Sequence, residues 1–487
     1  MNLLDEALER AGSLPDYFVI GGQARRAPET IEVVDPGSGR RLSTMPMATI
    51  ADIDEAVATA RTAFTDWRGM APKARGRLLW TLGDAIAAQR ERLGLVEALD
   101  TGKPHREALA TVDRTADYFR YYAGMVDKLE GRSIPLGDDK LCFTEKVPIG
   151  VTGHITPWNV PVSMVARGLA PALACGNTAV VKPAEDTPLS AVLLVEILEA
   201  AGLPAGVVNV VTGAGSVVGQ HLCEHPDVGH LTFTGSVGTG KRVMTAAATH
   251  LASVTLELGG KSPHLVLADA DLDACLPSIV DGAFKNAGQI CSAGTRILVE
   301  AGIHGELVER LQRSVGGITL GHGLTNPDMG PLISARQQQA VAGFADRARA
   351  AGASFVMGGH PAAIEGYEDG YYFEPTLVDD VAPSSELAQA EVFGPVLSIL
   401  PVSSLDDAID IANSTPYGLA AGVQTRDITR AMRYARAVDA GQVFVNGYHN
   451  AGDTVPFGGM KASGIGREKG LEALDAYCET KAITVSI

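Results

Sequence analysis

The sequence predicts an α/β protein built around a doubly wound parallel sheet. Two observations carry that expectation. From Glu145 onward, short runs rich in Val, Ile and Leu alternate with helical stretches, the pattern of parallel strands buried on both faces and joined by helical crossovers. Glycine clusters also stand where several of these runs give way to a helix, the place where open parallel sheets bind ligands.

The elements follow in order. A short N-terminal helix precedes "YFVIGGQAR" and "ETIEVVDPGSG", which predict two strands and a Pro-Gly turn. "ADIDEAVATARTAFTDW" has acids in its first turn and apolar residues at helical spacing, and further helical patterns run to about Gly131. Then comes strand "VPIGVTGHIT", and helix "VPVSMVARGLAPALACG" ending at Gly176. The next strand lies in "NTAVVKPAEDTP" and stops at Pro183. Helix "LSAVLLVEILEAAG", strand "GVVNVVTG", helix "SVVGQHLCEH", strand "VGHLTFTGS" and helix "GTGKRVMTAAATH" complete a first alternating unit to about Leu258. A second runs from near Gly260 to about Lys461 and includes "SLDDAIDIANSTPYG", a helix closed by a turn. The tail "KAITVSI" alternates like a strand, completing a neighbouring subunit's sheet or forming a local edge.

With 487 residues, the chain is long enough for several domains. Hydrophobic residues make up 46% and charged ones 20%, with glycine and proline spread throughout, which is a globular composition and not a disordered one. A net charge of −17 repels phosphate backbones and anionic lipid, so neither nucleic acid nor a membrane is an expected partner. Six cysteines without C-x-x-C spacing read as free thiols in a reducing compartment. The start lacks a basic segment followed by a long apolar core, and no uncharged apolar run is long enough to span a bilayer. The expected address is the cytoplasm.

Several segments could carry chemistry. "TGAGSVVG" (Gly213, Gly215, Gly219) and "FTGSVGTG" (Gly235, Ser236, Gly238, Gly240) follow strands and open helices, leaving bare backbone amides for a phosphate, although glycines are common at such turns. In "VVKPAED", Lys182 and Glu185 lie just past a strand end. A carboxylate there can take both ribose hydroxyls, which favours NAD; otherwise the two are a surface pair. Glu257 in "TLELGGKSP" has apolar neighbours that would raise its pKa and suit it to a general base, or it pairs with Lys261. Asn159 in "TPWNVPVSM" stabilises an oxyanion or caps a helix. Cys291 in "NAGQICSAGTR" is a buried small residue or a nucleophile on an exposed turn. His221 and His225 have no third ligand near them in sequence, so no metal is expected.

In order and spacing, "TPWNVP", "KPAEDTP", "FTGSVGTG", "LELGGKSP", "GQICSAGTR", "EVFGPV" and "PFGGMKASGIGRE" resemble the aldehyde dehydrogenase superfamily over nearly the whole chain, from about Phe18 to the final strand. The resemblance implies the hydrolytic, non-acylating branch. Cys291 would be the nucleophile, Glu257 the base that activates water, Asn159 an oxyanion donor with the Cys291 amide, and Glu468 a second glutamate relaying protons. Lys182 and Glu185 would contact the adenosine ribose, Gly235 and Ser236 the pyrophosphate, and Glu391 and Phe393 the nicotinamide riboside. Thr156, Trp158, Gly215, Phe233, Thr239 and Leu258 would complete a site for NAD, with NADP as the alternative.

The resemblance also implies a Rossmann-like parallel-sheet cofactor domain (1–128 and 149–258), an α/β catalytic domain (259–465) and a small β oligomerisation arm (129–148 and 466–487). A homodimer or homotetramer follows by analogy. The chain departs from the family where an aromatic and a lysine are usual, having Arg167 and Gly168 instead. That removes the usual relay lysine and argues against betaine aldehyde, because a cation wants an aromatic cage. Val160, Met164, Ile290, Val455 and Phe457 give an apolar channel, so a neutral aliphatic or aromatic aldehyde is expected. If Arg167 faces that channel, a carboxylate-bearing semialdehyde becomes the better expectation. A CoA-acylating semialdehyde dehydrogenase is the remaining alternative, disfavoured because CoA attack does not need Glu257.

Overall fold

The computed structural model describes residues 3–487. Two large sheets form the molecule. In the first, Ser253–Glu257, Val228–Thr234, Val151–Ile155, Thr178–Lys182 and Val208–Val210 lie side by side and parallel. Antiparallel strands cap both edges: Gly464–Ile465 beside Ser253–Glu257, and the Phe18–Ile20/Gln23–Arg25 hairpin beside Val208–Val210. In the second sheet Thr376–Asp379, Val396–Val402, Arg296–Glu300, Pro263–Val266, Ala420–Gln424 and Gln442–Val445 are parallel, and Ser354–Met357 is antiparallel at one edge. Strands such as Thr178–Lys182 are buried at every position, which is why they read as unbroken apolar runs in place of alternating ones.

The α/β expectation therefore holds for both units, with local differences. "YFVIGGQAR" is not one strand but a tight hairpin, because Gly21 (φ 60°) and Gly22 (φ 73°) turn the backbone through the left-handed region. Arg41–Pro46 is a further strand, paired with Thr30–Val34. Gly464–Ile465, which the sequence groups with the second unit, pairs into the first sheet.

The tail strand Cys478–Ser486 is a local partner of Lys140–Pro148, which also pairs with Ser133–Pro135. Segments far apart in sequence thus share one small antiparallel sheet. Between the His105–Ala123 helix and the first sheet lies Pro161–Ala174, a helix buried at all 14 positions. It carries one charged side chain, Arg167, and a charge so buried must find partners. Among the described residues, no helix is long and apolar enough to cross a membrane.

Candidate active site

Cys291 lies in an irregular segment between the Leu272–Phe284 helix and the Arg296–Glu300 strand. The chain approaches it through successive left-handed residues, Asn286 (φ 50°), Ala287 (φ 55°) and Gly288 (φ 70°). Non-glycine residues persist in that region only when their surroundings hold them there. A Cβ on Gly288 would lie 2.3 Å from the Gly394 carbonyl oxygen. Asn286 Nδ2 donates to the Asn159 carbonyl at 3.1 Å, Asn159 Nδ2 donates to the Gln289 carbonyl at 2.9 Å, and Gln289 Oε1 accepts the Ile333 amide at 2.9 Å. From the other side Lys103 Nζ donates to the Asn159 carbonyl at 3.0 Å while pairing with Glu97 at 3.1 Å. These bonds fix Asn159 against the cysteine loop. The following helix is capped at Val160 without a side-chain bond, so Asn159 is not its cap. One of its two amide hydrogens is committed to Gln289, which leaves the other for a ligand.

Five of the six cysteines are buried; Cys291 is the exception. It opens into a cavity of about 910 Å³ whose wall includes Asn159, Val160, Met164, Arg167, Ile290 and Phe457. Val455, expected on this wall, is not among the lining residues and is 40% exposed. Burial pushes the Cys291 thiol up to about 12; nearby Arg167 opposes that and nearby Glu391 and Glu257 add to it. The resting thiol is therefore protonated and needs a base.

Arg167 does line the cavity, but its guanidinium is already engaged. Nε forms an ion pair with Glu468, Nη2 lies 3.9 Å from Glu257, and the group stacks over Phe457 at 4.2 Å from the ring centroid. The expectation that Arg167 greets a substrate carboxylate is thereby weakened, since two carboxylates of the chain have claimed it. Glu468 also accepts a hydrogen bond from Thr232 at 3.0 Å. Glu257 ends the Ser253–Glu257 strand, is 2% exposed and has no hydrogen bond to either oxygen. Burial raises its pKa well above the ordinary carboxylate range; Arg167 opposes this and Glu468 reinforces it. Lys261 is not its partner: that ammonium is buried without a hydrogen bond, and burial lowers it to about 7. Nor is there space for a side chain at Gly168, where a Cβ would lie 2.6 Å from His154 Nδ1.

Most of the residues expected to hold the dinucleotide lie at or just past the C-terminal ends of the first sheet's strands. Glu391 and Phe393 come instead from the segment before the second sheet's Val396–Val402 strand. Lys182 Nζ pairs with Glu185 at 2.9 Å, and Glu185 also accepts the Gly215 amide at 2.6 Å. Ser236 caps the Val237–Ala248 helix, its Oγ accepting the Thr239 amide at 3.3 Å. The Gly235 amide donates to the Glu257 carbonyl at 3.0 Å, which ties that turn to Glu257. Phe233 and Leu258 pack beside Gly235 and Gly240, where added Cβ atoms would lie 2.6 and 2.5 Å away. The buried Thr156 hydroxyl has no partner. Trp158 meets Phe393 edge-on at 5.2 Å, and Glu391 accepts the Gly260 amide at 3.2 Å. Burial raises Glu391 to about 7. An unpaired hydroxyl and a helix N-terminus that donate, with carboxylates that accept from ribose hydroxyls, fit a dinucleotide.

Glu97, Lys103, Asn286 and Gln289 escape the sequence reading. A lysine in "TGKP" carries no mark of burial, and its partners lie in other segments. The pairing of Arg167 with Glu257 and Glu468 is equally invisible before the chain folds.

A family model described as "Aldehyde dehydrogenase family" matches residues 23–483. An aldehyde dehydrogenase of Aspergillus niger is 41% identical over 469 residues, covering 96% of this chain and 93% of the relative. Among solved structures, betaine aldehyde dehydrogenase from Staphylococcus aureus in complex with NAD+ is 36% identical, with a TM-score of 0.97 over 100% of this chain and 98% of that one. A mutant aldehyde dehydrogenase from Bacillus cereus is 40% identical, with a TM-score of 0.94 over 97% and 96% of the two chains.

Proposed function

The chain belongs to the aldehyde dehydrogenase family and is an aldehyde-oxidising enzyme; from that premise we propose that it converts an aldehyde to its carboxylic acid with NAD, through a Cys291 thioester cleaved by water. The observation that carries this reading is the position of Cys291, the one cysteine not fully buried, on a cavity wall it shares with Asn159. Glu257 loses its charge penalty by taking up the thiol proton as Cys291 Sγ bonds to the carbonyl carbon. The resulting oxyanion is met by the spare Asn159 amide hydrogen and the Cys291 N–H. The bound nicotinamide supplies a two-electron acceptor for the hydride that leaves this carbon. After releasing the thiol proton to solvent, Glu257 removes a proton from water, whose oxygen bonds to the thioester carbonyl carbon. The carbon–sulfur bond breaks, and the Cys291 thiolate that leaves is reprotonated by Glu257.

Glu185 supports NAD over NADP, because a carboxylate at the ribose accepts hydroxyl hydrogens and repels a 2′-phosphate. Water is favoured over CoA as the resolving nucleophile because the strand end supplies a buried carboxylate free of hydrogen bonds. Val160, Met164, Ile290 and Phe457 suit an aliphatic or aromatic stem on the aldehyde. Betaine aldehyde, for which the Staphylococcus aureus neighbour is named, suits this cavity poorly. The Phe457 ring that would receive a quaternary ammonium already has the Arg167 guanidinium over it at 4.2 Å. The small three-stranded sheet supports assembly into a homodimer or homotetramer, and the free cysteines suit the cytoplasm.

Cys291→Ala tests the central claim. NADH formation should fall at least about a thousandfold on any aldehyde that the unaltered enzyme oxidises, and the unaltered enzyme should release the free acid without CoA. Unchanged NADH formation by Cys291→Ala, or a strict need for CoA, refutes the mechanism.

A further inference from the structure

On the wall of the cavity beside Cys291 stands a lysine whose ammonium lacks a close carboxylate partner. Lys469 follows Glu468 in a turn pinned by reciprocal 2.7 Å backbone bonds between Phe457 and Glu468, and by Tyr122, whose hydroxyl donates to the Gly470 carbonyl at 3.0 Å. Its backbone is held in the left-handed region, φ 59°, where a lysine is placed only at a cost that the surrounding bonds must offset. That turn sends the side chain onto the cavity wall, where it is 13% exposed. Its ammonium makes no hydrogen bond among the described residues. The nearest carboxylate oxygen, Asp453 Oδ1, is 3.9 Å away, and Arg114 Nε lies 3.8 Å from the same atom. Two rings flank it, Phe457 at 5.6 Å and Tyr118 at 5.9 Å.

Arg167, on the same wall, makes the contrast. It faces two carboxylates, Glu468 and Glu257, whereas Lys469 and Arg114 both lie beside one, Asp453. Neither cation is within hydrogen-bond distance of that carboxylate, at 3.9 and 3.8 Å. Burial, together with Arg167 and Arg114, already lowers the Lys469 pKa to about 8, a cost that an arriving anion would relieve. Cys291, Arg114 and Lys469 line the same cavity, so an aldehyde with its carbonyl at Cys291 can present its far end to Lys469.

We propose that Lys469, with Arg114 beside it, is a subsite for a carboxylate at the end of the substrate remote from the carbonyl. The substrate class is then an aldehyde with an apolar stem and a terminal carboxylate. Three ammonium donors without partners can form the charge-assisted hydrogen bonds that the protein does not supply. This inference rests on the cavity being the aldehyde site, and it moves the recognising cation from Arg167 to a residue the chain has left available.

The test compares a straight-chain aldehyde ending in a carboxylate with its methyl-terminated homologue of equal length, using purified full-length enzyme and NAD. The unaltered enzyme should favour the carboxylate in kcat/KM by about tenfold or more. Lys469→Met should reduce that preference by roughly 10- to 100-fold, chiefly through KM, and Lys469→Arg should retain most of it. Equal loss on both aldehydes in Lys469→Met overturns the subsite. So does an unaltered enzyme that oxidises the methyl-terminated aldehyde at least as well, and that result would leave aldehyde oxidation itself standing.

Discussion

At the scale of single residues, the least ordinary feature is the triad of Glu257, Arg167 and Glu468. On the proposed mechanism Glu257 is the base for thioester hydrolysis and works only when ionised. Burial holds it well above the usual carboxylate range, so hydrolysis should accelerate as pH rises through that raised pKa. Arg167 pulls the value down and Glu468 pushes it up. Removing the cation in Arg167→Met should therefore move the acid limb of single-turnover thioester hydrolysis to higher pH. Removing the like charge in Glu468→Gln should move it to lower pH, since the guanidinium is then free to serve Glu257. Displacements of about one unit in opposite directions are expected; a lower plateau with an unmoved limb in both variants would mean a purely structural role. Arg167→Met also leaves Glu468 charged and buried, at a cost of about 3–5 kcal/mol in stability, so Arg167→Lys is the companion that keeps a charge. Cys291, Glu257 and the Lys182–Glu185 pair are legible in the sequence because each sits in a short run whose residue types suggest their chemistry. The partners of Arg167 are not, because residues 167, 257 and 468 meet only through the fold. Its unusual place in an apolar helix is visible; the two carboxylates that neutralise it are not.

At the scale of elements, the Pro161–Ala174 helix shows how tightly the site is seated. Gly168 faces His154 on the Val151–Ile155 strand, and a Cβ there would come within 2.6 Å of the ring Nδ1. His154 is fully buried and bonded through Nε2 to the Thr152 hydroxyl at 2.8 Å, so the ring cannot retreat without breaking that bond. Alanine normally stabilises a helix interior by about 1 kcal/mol over glycine, but overpacking costs about 1–3 kcal/mol. Gly168→Ala should therefore destabilise the protein by about 1–2 kcal/mol, read as a lower midpoint in urea denaturation. A raised midpoint would show that the helix can shift outward. The long alternating elements are legible because burial on both faces leaves continuous apolar strands between helices. The short edges are not: Gly464–Ile465 and Gln23–Arg25 are two and three residues long, too short for any periodicity to declare itself.

At the scale of the whole molecule, the small sheet poses a question of surface chemistry. Cys478–Ser486 is a nine-residue strand exposed at most positions. It pairs on one side with Lys140–Pro148, which leaves its other edge without a strand among the described residues. Long open edges invite pairing with another chain and are covered or blunted in stable proteins. Here the edge is not blunted by apolar economy: Leu141 and Val485 stand opposite each other in register and are 48% and 45% exposed, and Ile487 is 86% exposed. Those contacts suit a second copy of the same chain, and symmetric pairing is the common route by which such arms close. The local pairing of Cys478–Ser486 with Lys140–Pro148 does not compete with that assembly, because it uses only one edge of Cys478–Ser486. Carboxylates placed at the apolar pair, in the double variant Leu141→Glu and Val485→Glu, would face each other across the strands and across any interface built on this face. Light scattering coupled to size exclusion should show a dimer or tetramer for the unaltered chain and a smaller mass for the variant. Retained absorbance-detected folding would exclude simple collapse. An unaltered chain that elutes as a monomer would remove the arm from assembly altogether, and its apolar edge would then need a different partner.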